Sequence, residues 1–172
     1  MKRWSFAGRS LYIIPGVFVL GVAGFTGSAQ SSTAASAVAW SNAQVQRQTG
    51  SVVAKAVKDP GGIATLTLSK SPGSYVMLSV RVKNGRAELH ATNSDYIFVI
   101  DGEGTMMTGG TIVDAKPIGP NEIRGLKLEG ASATPLQKGD TIHIPPGVPH
   151  QTMVAPGKKL VYFVVKAEKS AQ

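Results

Sequence analysis

Residues 138–150 read KGDTIHIPPGVPH, and the reading of the fold starts there. Gly139-Asp140 is a turn signal, and Thr141–Ile144 is a short run rich in β-branched residues. Pro145-Pro146-Gly147 stops that strand, because proline donates no ladder hydrogen bond and glycine supplies the reversal. Pro149 fixes the backbone just ahead of His150, which starts a further β run over Gln151–Val154. An imidazole framed in this way stands at a rigid strand entrance and loses little freedom when it binds something. A structural histidine could be framed the same way, so the case for a ligand depends on a second half-site.

That half-site is residues 88–104, ELHATNSDYIFVIDGEG. Glu88 and His90 are two apart in an expected strand and therefore share a face. Asp95 opens the next expected strand, 95–100, and Asp101-Gly102 is read as a hairpin turn before a strand over 103–108. Three potential ligands thus lie on two adjacent strands, with His150 arriving from a third.

With these residues the chain resembles the cupin superfamily. Gly139, Pro145, Gly147 and His150 match the family's second motif in full. In its first motif Gly85, His90 and Gly102 fit, while Glu88 stands in place of the first histidine and Asp95 in place of the glutamate. The chain is also similar to small exported bacterial monocupins, through E-x-H at 88–90, a GEG-x-x-x-x-GG hairpin at 102–110 and EIRG at 122–125. The resemblance spans roughly residues 60–167. It implies an all-β fold, a double-stranded β-helix or jelly-roll barrel, with a divalent metal ion in the barrel and assembly as a homodimer. The implied metal residues are Glu88, His90, Asp95 and His150, and Glu88 is alternatively a general base. Asp95 is one methylene shorter than the glutamate it replaces, so its reach to the metal would run through water.

Composition narrows the chemistry. There is no cysteine, which excludes disulfides, thiolate metal sites and cysteine nucleophiles. Two imidazoles with one or two carboxylates suit Fe, Mn, Ni or Zn as the divalent ion. The formal charge of +8 looks like a nucleic-acid signal, but Lys2, Arg3 and Arg9 belong to a leader. The remaining basic residues are spread thinly and not interleaved with exposed aromatics, so no nucleic-acid partner is expected. The leader, residues 1–29, has a basic start, an apolar run from Leu11 to Phe25 and small residues at Gly27-Ser28-Ala29. That pattern is a signal peptide, with a mature protein that is periplasmic or secreted and holds no membrane anchor after cleavage.

The domain plan follows: signal peptide 1–29, linker and helix 30–61, cupin domain 62–167 and a polar tail 168–172. Ser41 with Gln44 forms a capping box for a short N-terminal helix over about 42–57, ended by Asp59-Pro60-Gly61-Gly62, whose expected job is to pack on the barrel or a partner subunit. From Ile63 onward strands and Gly/Pro turns alternate closely, as in a sandwich or barrel. Asn84-Gly85 reads as a hairpin, and 116–133 as a shaped loop whose Glu122 and Arg124 either border the pocket mouth or pair with each other or a neighbouring subunit. His143 alternates with Ile142 and Ile144 and is expected to stay clear of the site. Met106, Met107 and Met153 read as core; Tyr96, Phe98, Tyr162 and Phe163 read as barrel lining, and Lys166 as a solvated strand end. Two functions remain open: a metal-dependent enzyme acting on a small oxygenated substrate, and a non-catalytic module that binds a small-molecule ligand without metal.

Overall fold

The computed structural model describes residues 37–169. The expected signal peptide, the first part of the spacer and the last residues of the tail lie outside the described residues. The expected helix is present as α1 (Asn42–Lys58). Its capping box forms as read: the Ser41 hydroxyl accepts from the Gln44 backbone N–H, and the Gln44 side chain accepts from the Ser41 N–H at 2.8 Å. Lys55 and Lys58 occupy the last turn, where cations complement the helix dipole.

Strands follow in close order: β1 (Ile63–Ser71), β2 (Ser74–Arg81), β3 (Ala87–His90), β4 (Asn93–Thr108), β5 (Thr111–Val113) and β6 (Lys116–Gly119). Then come β7 (Glu122–Gly125), β8 (Lys127–Glu129), β9 (Ser132–Gln137), β10 (Thr141–Ile144), β11 (His150–Met153) and β12 (Leu160–Glu168). One sheet runs β1-β2-β12-β4-β10 and the other β9-β4-β11-β3-β7-β6, while β5 pairs with β8 apart from both. Every pairing is antiparallel. Two curled sheets that share a strand make a double-stranded β-helix, the cupin fold that the two motifs implied.

Alternation along the strands separates two apolar layers. Ile97, Val99, Met106, Leu136, Ile144, Leu160, Tyr162 and Val164 fill the barrel. Leu78, Val80 and Val161 point the other way and meet Val52 and Ala56 of α1, so the helix covers the outside of the first sheet. Met106 belongs to the core as expected. Tyr96 and Phe98 do not line the barrel: they alternate with inward Asp95, Ile97 and Val99 and are 38% and 41% exposed. The parity of β4 is set by Ile97 and Val99, and the aromatic residues fall on the other face.

Three turn readings are corrected. Asp101-Gly102 is not a hairpin, because β4 continues straight through it. Val161 faces Asp101 but Tyr162 faces Val99, so Ile100 is an extra residue and the strand bulges as it passes from one sheet to the other. Gly102 has φ +80°, and a side chain there would stand 2.0 Å from the Lys159 carbonyl oxygen, so only glycine fits. Asn84-Gly85 is not a hairpin either: β2 pairs with β1 and β12, β3 with β7 and β11, and the link crosses between sheets. Its groups are used by β11 and the residue after it, since Gly85 N–H donates to the Thr152 carbonyl at 2.7 Å and Asn84 Oδ1 accepts from Val154 N–H at 2.9 Å. Finally, 116–133 is largely short strands, with β7 extending the second sheet beside β3.

Candidate metal centre

Register brings the site together. His150 opens β11 directly opposite Glu88 of β3, and Glu88 lies opposite Arg124 of β7. His90 shares the Glu88 face, and the Pro-Gly turn before His150 is tied to β3 by Gly147 N–H donating to the His90 carbonyl at 2.8 Å. One ligand atom each from Glu88, His90 and His150 lies within 4.8 Å of the others. Asp95, from the other sheet, faces the same point, with Oδ2 3.7 Å from both Nε2 atoms.

The hydrogen bonds fix what the imidazoles can do. His150 Nδ1 lies 3.0 Å from the Val148 carbonyl oxygen, which can only accept, so Nδ1 carries the proton. In the neutral ring, the form a metal requires, Nε2 carries the lone pair; this atom is buried and without a hydrogen-bond partner. His90 Nε2 lies 2.7 Å from the Lys166 ammonium, which can only donate, so this nitrogen also presents a lone pair. Two imidazoles and a carboxylate around one point, with one nitrogen orphaned, fit a divalent first-row ion held by nitrogen and oxygen.

Electrostatics keep both carboxylates ionised. Burial opposes ionisation of Glu88, but its neighbours His90, Arg124, His150 and Lys166 outweigh it and hold the group at about 2. Burial also opposes ionisation of Asp95, and His150 and the Lys166 ammonium again prevail, so its pKa is lowered. Arg124 pairs with Glu88 and with Glu122, its Nε 2.6 Å from the Glu122 carboxylate. Two of the expected roles thus hold at once: Glu122 and Arg124 pair with each other, and Arg124 reaches the site.

Of the four residues named from sequence, Glu88, His90 and His150 form one cluster, and Asp95 stands beside it with both oxygens 2.6 Å from the Lys166 ammonium. His143 stays clear, stacked on Tyr96 with ring centroids 4.3 Å apart on the outer face. Lys166 is the main correction: it is no solvated strand end but a buried residue of the site, 8% exposed. The signal was present in β12, where Lys166 has the same parity as the core residues Leu160, Tyr162 and Val164. Arg81 was missed altogether; it is buried and lines the same cavity of about 120 Å³ as Glu88, Asp95, His150, Tyr162 and Lys166.

No family model and no curated protein matches the chain. Solved structures that are similar to it include an uncharacterised conserved protein with a double-stranded β-helix domain from Klebsiella pneumoniae. That protein is 19% identical, the match covers 66% of this chain and 84% of that one, and the TM-score is 0.47. A second is KdgF from Halomonas sp., 13% identical over 65% of this chain and 84% of that one, with a TM-score of 0.47. A third is TT1209 from Thermus thermophilus, 15% identical over 65% and 89%, with a TM-score of 0.48. The assignment of the fold stands on this chain's own strand order and register.

Proposed function

We propose that this protein binds one divalent first-row metal ion through Glu88, His90 and His150 and acts on a small oxygenated substrate in the barrel. The observation that carries the reading is the buried Nε2 of His150, which faces the cluster and has no hydrogen-bond partner. Leaving such a group unpaired costs about 1–3 kcal/mol, and a metal ion would remove that cost. When bound, Fe, Mn, Ni or Zn would supply Lewis-acid activation of an oxygen ligand. The chain's own residues have separate work. Arg124 orients Glu88, the Val148 carbonyl orients His150, and Lys166 anchors Asp95 beside the cluster.

Elemental analysis of tag-free protein, as isolated and after incubation with Fe(II), Mn(II), Ni(II) and Zn(II), tests this. About one ion per chain is expected, lost in His150→Ala. Wild-type protein that stays empty under all four conditions would overturn the reading. A specific observation then favours the second reading, a metal-free module for a small ligand: the Lys166 ammonium already supplies a cation to Asp95 and His90.

The location and assembly belong to the same proposal. Fusing residues 1–35 to a reporter active only outside the cytoplasm should give signal, and the mature protein should scatter light as a homodimer. Retention of residues 1–25 in purified membranes refutes cleavage, and a monomer at micromolar concentration refutes the dimer.

A further inference from the structure

We infer that Arg81, together with Tyr162, forms a carboxylate-binding subsite in the barrel cavity, independent of whether the Glu88/His90/His150 cluster holds a metal. Arg81 is the last residue of β2 and is 6% exposed, with a buried Nε–H that has no acceptor. Among the described residues it enters no ion pair. The two carboxylates that line the cavity pair with other cations, Glu88 with Arg124 (which also holds Glu122) and Asp95 with Lys166. Arg81 is therefore a buried cation with no carboxylate in ion-pair contact. Arginine cannot relieve that state by losing its proton, and an unmatched buried charge is strongly unfavourable.

Its surroundings leave room for a counter-ion. A Cβ at position 85 would come 2.7 Å from Arg81 Nη1, so glycine there lets the guanidinium lie flat against the chain. The buried Tyr162 hydroxyl sits beside the guanidinium and stays protonated, since burial raises its pKa above the ordinary value. It is thus a neutral donor or acceptor, not the missing anion. The cavity of about 120 Å³ has room for about four waters, so the ligand is a small carboxylate, with a few carbon atoms at most. The planar fork of arginine matches a carboxylate with two parallel hydrogen bonds. A single unpaired cation suits a single negative charge better than the higher charge of phosphate.

The test uses mature protein stripped of metal by a chelator and labelled with ¹⁵N. Sodium acetate is the probe, acetamide its neutral isostere, and sodium chloride holds the ionic strength constant. The Arg81 Nε–Hε resonance, assigned by its loss in Arg81→Lys, should shift saturably with acetate and not with acetamide. Affinity read from other resonances should fall by at least about tenfold in Arg81→Lys, which keeps the charge but loses the fork, and further in Arg81→Met. If Arg81→Met does not fold, the lysine variant decides. Absence of an acetate shift, an equal response to acetamide, or unchanged affinity in Arg81→Lys overturns the subsite. Tighter binding of inorganic phosphate than of acetate overturns the carboxylate assignment. Because the protein is metal-free throughout, an empty metal cluster leaves these outcomes readable.

Discussion

Replacing Lys166 by methionine keeps the unbranched stem and removes the charge, and it should move two quantities in opposite directions. In the metal-free protein the ammonium is 2.6 Å from both Asp95 oxygens and 2.7 Å from His90 Nε2, all of them buried. Removing one partner of a buried pair leaves the other uncompensated, at a cost of about 3–5 kcal/mol. For a domain of this size that is a fall in thermal midpoint of about 10–20 °C. Metal affinity should instead rise. A dication bound to His90 Nε2 would lie within a few ångströms of Lys166. Two unit charges about 4 Å apart repel by about 4 kcal/mol at an effective dielectric constant of about 20, and a dication feels about twice that. Retreat of the ammonium and penetration of water remove most of this. A residue of about 1.4–3 kcal/mol still corresponds to about a ten- to hundredfold gain in affinity. Calorimetric unfolding of chelator-treated protein and competitive titration with Mn(II) and Zn(II) measure the two effects. Metal-free Lys166→Met as stable as wild type would show that the ammonium does not hold Asp95. Weaker metal binding would show that it does not compete for His90.

Gly102→Ala should cost about 3 kcal/mol or more, since it combines a left-handed backbone with a contact at 2.0 Å to the Lys159 carbonyl; a denaturant midpoint unchanged from wild type would refute the bulge. His143→Ala should change stability by no more than about 0.5 kcal/mol and leave metal content unchanged, because its ring stacks on Tyr96 at the surface. Acid should unfold the metal-free protein through Glu88. Its folded pKa of about 2 lies below the ordinary 4.5, so its stabilisation is complete above about 4.5 and is lost as pH falls towards 2. Glu88→Gln should flatten the slope of stability against pH in that window, and an unchanged slope would place the titration elsewhere.

What the sequence conveyed depended on whether a local rule had a competitor. The capping box at Ser41 and Gln44 and the Pro-Gly turn ahead of His150 are short-range and formed as read. So did the shared face of Glu88 and His90, because a period of two needs no tertiary information once the strand exists. Asp101-Gly102 failed because the same residue pair that makes a hairpin also makes a bulge, and only the partner strand β12 decides between them. Lys166 was misread by weighing its charge above its parity, although three core residues of β12 share that parity. Arg81 was not legible: Leu78 and Val80 face α1 while Ser79 and Arg81 face the cavity, so both parities of β2 are buried and alternation carries no sign. Arg124 lay in a segment read as loop, and its arrival at Glu88 depends on β7 joining the sheet beside β3.

The passage of β4 from one sheet to the other has a dynamic consequence. Residues of its first half are bonded on one side to β10 and on the other to β12, and those of its second half to β9 and β11. No edge of β4 is left free over Asp95–Phe98 or Thr105–Thr108, so neither half can detach without breaking ladders on both sides. Its amides should therefore exchange with solvent only through opening of the whole barrel, and should report the global free energy of unfolding. Asp95, carried on that strand, cannot swing outward with a mobile wall. Anything that reaches Asp95 has to come through the cavity that it lines with Arg81, Glu88 and Arg124.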